Sequence, residues 1–135
     1  METFRKGDIV IFPFPYTDMT HRKIRPCLVI SDEMKRDMIL CQITSKNIKA
    51  DSFTVEVNKE EILDRILQID SYIRCNMIFT ASKNQIIKKI CSISDKKYSK
   101  VVSKIVDIIK KPWKGPLQNN IRHIHDTMHF YCTIR

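Results

Sequence analysis

The chain has 135 residues, 43% of them hydrophobic, and 24 Lys and Arg against 15 Asp and Glu give a formal net charge of +9. That length suits one domain with a real core, and the charge draws polyanions, so a nucleic-acid partner is favoured over a merely solvated lysine-rich surface. There is no apolar run of about 18 residues, so no membrane span is expected, and the start Met1-Glu2-Thr3-Phe4-Arg5 lacks the apolar region of a secretory signal, so a cytoplasmic protein is expected.

The first predicted element is the strand Lys6-Gly7-Asp8-Ile9-Val10-Ile11-Phe12-Pro13-Phe14. A polar loop from Tyr16 to Lys23 follows, and then a second strand, Arg25-Pro26-Cys27-Leu28-Val29-Ile30-Ser31. Arg25 stands at the mouth of that strand beside His21, Arg22 and Lys23, a cluster of cationic donors suited to a phosphate. Met38 to Thr44 and Phe53 to Val57 are the third and fourth strands, and the period-two alternation of the latter argues for a half-buried antiparallel sheet. The polar stretch Ser45 to Ser52 connects them.

Asn58 to Arg65 reads as a short helix or a loop, Ile66 to Cys75 as a strand and Phe79 to Ser82 as a separate short element, while Ile86 to Ile90 has no assignable state. The helix is clear. Tyr98, Val101, Val102, Ile105, Ile108 and Ile109 recur at spacings of three and four, Ser94 caps the start with Asp95 just inside, and Lys110, Lys111 and Pro112 mark the end. Five or more strands joined by short loops and followed by one packing helix describe a mainly β fold, a small β-barrel or an α+β domain.

After Pro112 the character changes. A weak apolar spacing at Ile121, Ile124, Met128 and Tyr131 allows a final helix or a loosely docked extension, so the chain divides into a domain at 1–111 and an extension at 112–135. His125, His129 and Cys132 would share one face of such a helix, but solvated histidines are the simpler reading and no metal or other cofactor is expected. The five cysteines are odd in number and lack C-x-x-C spacing, which argues against a disulfide framework, and Cys27 and Cys41 read as small core residues. With glycine only at positions 7 and 115, turns needing positive φ fall to Asn47, Asn58 and Asn84.

Taken in order, Gly7-Asp8-Ile9-Val10, the Arg25-Pro26 pair, Ile43-Thr44-Ser45 and Asp70-Ser71-Tyr72-Ile73-Arg74 before a late helix resemble the MazF/PemK toxins, the ribonucleases of bacterial toxin-antitoxin pairs. The resemblance spans about residues 5 to 110 and implies an SH3-like β-barrel with a C-terminal helix, usually a homodimer, that cleaves single-stranded RNA without a metal ion. It further implies attack of the ribose 2′-OH on the adjacent phosphate, leaving a 2′,3′-cyclic phosphate and a 5′-OH, and restraint by an antitoxin whose acidic segment covers the basic groove. That chemistry needs a proton acceptor, a proton donor and cations for the charge building on phosphorus.

By the same resemblance Arg25, Thr44 and Arg74 are the catalytic residues, with Ser45, Asn76 and the loop residue His21 as RNA contacts, and Lys23 and Lys46, on the loops that flank this site, are contacts for the RNA backbone. Four of them have a plainer reading: a surface cap for Arg25, a strand-end threonine for Thr44, a structural ion pair for Arg74 and a solvated loop residue for His21. Asn76 occupies the place of an acid in the PemK branch and cannot accept a proton as a general base. Either Arg25 and Thr44 then carry the reaction, as in the MazF branch, or the rate is low. Two other classes stand beside this one: a non-catalytic RNA- or DNA-binding barrel, and a gyrase-directed poison like the CcdB toxins. The latter use a tryptophan close to the chain end, whereas this chain finishes Cys132-Thr133-Ile134-Arg135.

Overall fold

The computed structural model describes residues 2–15, 22–45, 52–58 and 71–112. Among these residues six strands, β1 (Asp8–Pro15), β2 (Arg22–Val29), β3 (Asp37–Thr44), β4 (Thr54–Val57), β5 (Ser71–Ser82) and β6 (Lys88–Ser92), precede one helix, α1 (Asp95–Lys110). They form a single curled sheet in the order β4-β5-β3-β2-β1-β6, and every pairing is antiparallel, as the alternation of the fourth strand leads one to expect. Mostly strand with one C-terminal helix, this is the expected fold class.

Because successive side chains leave a strand on opposite sides, each strand feeds two apolar layers. One holds Ile9, Leu28, Cys41, Ile43, Val55, Ile73 and Cys75 and is covered by Val101 and Ile105 of α1. The other holds Val10, Phe12, Cys27, Val29, Met38, Leu40 and Ala81 and is flanked by Phe14 and Phe79, whose rings meet Phe12 edge-on at centroid distances of 5.2 Å each. Cys27 and Cys41 are thus core residues, as expected.

The helix begins where its sequence says. The Ser94 hydroxyl accepts the Lys97 N–H at 3.2 Å, and Asp95 lies in the first turn. Tyr98 and Ile108 pack against the layer that Val101 and Ile105 enter, and the Tyr98 hydroxyl donates to the Ile30 carbonyl. The apolar stripe is narrower than the spacing suggests. Ile109 is 69% exposed because it sits on the flank of the stripe, about 80° round the helix from Val101.

Several expectations need correction. Phe79 to Ser82 is no separate element but the end of the long strand β5, whose pattern breaks at Asn76, Met77 and Ile78, three consecutive exposed residues. Within the predicted loop from Tyr16 to Lys23, Arg22 and Lys23 already belong to β2, because Pro15 and Phe14 of β1 continue the ladder to meet them. Arg25 therefore lies inside a strand rather than at its mouth. The unassigned stretch from Ile86 to Ile90 enters β6 after a single 3-10 turn, Lys83–Gln85, which Ser82 and Gln85 close as a capping box.

Positive φ falls to Gly7 (+92°) and Lys35 (61°), not to Asn58 or Asn84. Asn84 is part of the 3-10 turn, and Asn47 lies outside the described residues, as do residues 59–70 and 113–135. Gly7 donates its N–H to the Val29 carbonyl at 2.9 Å and accepts the Ile93 N–H at 2.9 Å, so its backbone shape is held from both sides. A Cβ there would meet Ile93 O at 3.7 Å, an ordinary contact, which leaves conformation as the cost. Gly7→Ala is expected to destabilise the fold by about 1–2 kcal/mol, read from urea unfolding midpoints; an unchanged midpoint would contradict it.

Candidate active site

A break in the sheet makes the site. Pro26 has no N–H to offer β3, and the β2–β3 ladder runs only from Val29–Leu40 to Cys27–Gln42. Continuing that register by two residues sets Arg25 across from Thr44, just where the two strands part. On the other side of β3, Ile43 pairs with Ile73 but Cys41 pairs with Ile78, so Arg74, Cys75, Asn76 and Met77 bulge out opposite Gln42 alone.

The bulge is pinned by groups on neighbouring strands. The Cys41 thiol donates to the Arg74 carbonyl at 2.8 Å, and the Cys75 N–H donates to the Phe53 carbonyl at 2.8 Å. Burial pushes the Cys41 thiol up, with Cys75 and Cys27 nearby adding to the rise, so the proton it donates stays on sulfur at neutral pH. Burial likewise pushes the Cys27 thiol up to about 12, against a smaller opposing pull from Arg25 two residues away on the same face.

Cross-strand partners share a face, so the polar set can be placed by register. Arg25 faces Phe12, Lys23 faces Phe14, Thr44 faces Tyr72, Tyr72 faces Glu56, and Arg74 faces Thr54. All lie on the side away from α1, as the burial of Ile43, Val55 and Ile73 on the helix side requires. Arg25, Thr44, Tyr72 and Arg74 are half-buried, whereas Lys23, Ser45, Glu56 and Asn76 are exposed. The Nε of Arg74 is buried without a hydrogen-bond partner, and among the described residues Arg74 makes no ion pair. The structural ion pair that would have been its plainer role is absent there, and an orphaned donor beside Thr44 is chemically suited to an anionic oxygen.

Of the sequence-predicted site residues, register puts Arg25, Thr44 and Arg74 on one face of β2, β3 and β5, with Lys23 and Ser45 exposed and Asn76 in the bulge. His21 and Lys46 lie outside the described residues, as do His125, His129 and Cys132. Sequence reading passed over Cys41 as a holder of the Arg74 backbone, and over Tyr72 and Glu56 as members of the polar row. The alternation of Thr54-Val55-Glu56-Val57 does put Glu56 on the polar face, but its neighbours there are set by register alone.

By contrast the Gly7-Asp8 pair belongs to the scaffold. Asp8, 5% exposed, accepts the Arg5 N–H at 2.8 Å and the Ser92 hydroxyl at 2.9 Å, and its carboxylate lies 3.4 Å from Lys89 Nζ.

The described residues thus form a half-barrel, a curled six-stranded antiparallel sheet followed by a helix, with arginines from two strands beside a bulge. The chain belongs to the family described as PemK-like, MazF-like toxins of type II toxin-antitoxin systems, whose model matches residues 5–109. Among solved structures it is similar to an endoribonuclease from Mycobacterial species, with 14% identity over 84% of this chain and 97% of that one and a TM-score of 0.64. It is likewise similar to MazE-MazF from Deinococcus radiodurans, at 16% identity, 82% and 98% coverage and a TM-score of 0.64. Mycobacterium tuberculosis toxin MazF-mt6 matches at 17% identity, 78% and 99% coverage and a TM-score of 0.59. At such identities the likeness speaks for the fold. No curated protein is significantly similar in sequence.

Proposed function

We propose that this toxin is an endoribonuclease that cleaves single-stranded RNA by attack of a ribose 2′-OH on the adjacent phosphate, through its own side chains and with no metal ion. The observation that carries the reading is the register that sets Arg25, Thr44 and Arg74, whose buried Nε has no hydrogen-bond partner among the described residues, on one face where two strands part. Family membership and solved relatives described as endoribonucleases, one with its cognate antitoxin, support it.

In this scheme the guanidinium of Arg25 holds the equatorial oxygens of the phosphorane through charge-assisted bonds, and Arg74 shares that charge. The Thr44 hydroxyl bonds the phosphate or ribose, and Lys23, Ser45, Lys46, His21 and Asn76 hold the strand on either side. A cognate antitoxin restrains the enzyme by covering this cationic face, and the active form is a cytoplasmic homodimer. Residues 1–111 carry the activity, with 112–135 as an extension. Among the described residues no helix is long and apolar enough to cross a membrane. Neither the non-catalytic barrel nor the gyrase-directed poison gains support from the matched family.

The test is incubation of the purified protein with a long single-stranded RNA in EDTA, with the product ends identified chemically. Discrete fragments ending in 2′,3′-cyclic phosphate and beginning with 5′-OH are expected. Intact RNA, bound by a folded protein, would overturn the enzymatic reading.

A further inference from the structure

Among the described residues placed at the site so far, none accepts the 2′-OH proton, since the Asn76 amide has no basic site near neutrality and a guanidinium stays charged. A replacement must lie on the same face, within reach of a sugar held by Arg74 and Thr44.

The strand register supplies one candidate. Glu56 pairs with Tyr72, and Tyr72 pairs with Thr44, so Glu56, Tyr72 and Thr44 form one row across β4, β5 and β3. With strands about 4.8 Å apart, the Cα atoms of Glu56 and Thr44 are about 10 Å from each other. Arg74 faces Thr54, which makes Glu56 its diagonal neighbour, about 7–8 Å away. A ribose and its phosphate can occupy that interval.

Other described carboxylates are elsewhere, among them Glu2, six residues ahead of β1. Asp8 is tied to Ser92 and Lys89, Asp32 to Lys6, and Glu33 to Lys83, while Asp95 and Asp107 belong to α1 on the opposite side of the sheet. Asp37 starts β3, seven residues from Thr44. Glu56, by contrast, is exposed on the polar face, and among the described residues its carboxylate enters no ion pair. Its backbone is held instead: the carbonyl accepts Lys97 Nζ at 2.9 Å, which anchors this part of β4 to the helix. A fixed backbone under a free carboxylate suits a proton acceptor.

We propose that Glu56 is the general base of the cleavage reaction, a catalytic role that rests on the ribonuclease reading given above. Glu56 takes the 2′-OH proton as the 2′-oxygen bonds to phosphorus. The P–O5′ bond breaks, and the 5′-oxygen leaves with its electron pair and takes a proton from water. The hydroxide so formed recovers the proton from Glu56, so the step neither gains nor loses one. Tyr72 stands between the two ends of the row and bears a phenol, a weaker proton acceptor than a carboxylate.

The experiment compares wild type, Glu56→Gln and Arg25→Ala on one RNA in EDTA, with kcat/KM followed across pH and binding measured on a 2′-O-methyl RNA of the same sequence. Among the described residues, Arg74 and Tyr72 on β5 are the charged or titratable groups on the face of Glu56, while Lys97 on α1 holds its backbone carbonyl from the other side of the sheet, and all three are retained. Glu56→Gln is expected to lower kcat/KM by about 10²-fold or more, to leave binding of the methylated RNA within twofold, and to remove the rise of rate with pH at the acidic end. Cleavage by Glu56→Gln within threefold of wild type, with an unchanged pH profile and an inactive Arg25→Ala, would overturn the role of Glu56 and leave the ribonuclease reading standing. Absence of cleavage by the wild type would overturn both.

Discussion

Arg25→Ala is expected to lower RNA cleavage by about 10²–10³-fold or more while the protein keeps its fold. The side chain is half-buried on the face away from the helix, where the β2–β3 ladder has ended, so its removal opens no cavity in either apolar layer. In the proposed reaction, what is lost is a charged fork for the phosphate. Arg25→Lys separates fork from charge: it keeps the cation but not the paired N–H geometry, and an intermediate rate is expected. Initial rates on a defined RNA, with thermal unfolding of each variant as a control, make the measurement. Cleavage at the wild-type rate by a folded Arg25→Ala protein would remove Arg25 from the mechanism.

The largest effect on stability is expected at Asp8. Its carboxylate takes the Arg5 N–H and the Ser92 hydroxyl and neighbours Lys89, so one side chain joins the entry of β1 to the edge strand β6. Asp8→Ala leaves the Arg5 N–H and the Ser92 hydroxyl without that acceptor and removes the carboxylate 3.4 Å from Lys89 Nζ. The loss is expected to be about 2–4 kcal/mol. Asp8→Asn keeps one acceptor oxygen and is expected to cost less. Urea unfolding of both variants tests this, and a loss for Asp8→Ala below about 0.5 kcal/mol, the range of ordinary surface changes, would show that the carboxylate does not hold β6.

Asp8 also shows how a motif is legible before its purpose is. Gly7-Asp8 helps mark the family in the bare sequence, yet the structure gives it to the scaffold: Gly7 for a backbone shape, Asp8 for a buried junction. Arg25 and Thr44 were equally visible as strand residues, but their convergence depends on Pro26 ending one ladder and on a bulge in β5 breaking another.

By itself the sequence determined what is local. Helix α1 follows from a cap at Ser94, an acid at Asp95, an apolar stripe and the Lys110-Lys111-Pro112 stop, all within one stretch of chain, so its bounds agree with the structure. Strands rich in Val, Ile and Phe were visible for the same reason, and the order of short motifs was enough to indicate the family. Only the tertiary structure decided what depends on register. The length of β5, the positive φ of Lys35 and the row from Thr44 through Tyr72 to Glu56 join residues far apart in the chain. A shift of one residue in pairing would send each of those side chains to the opposite face, and nothing in the local pattern of either strand sets its offset from the next.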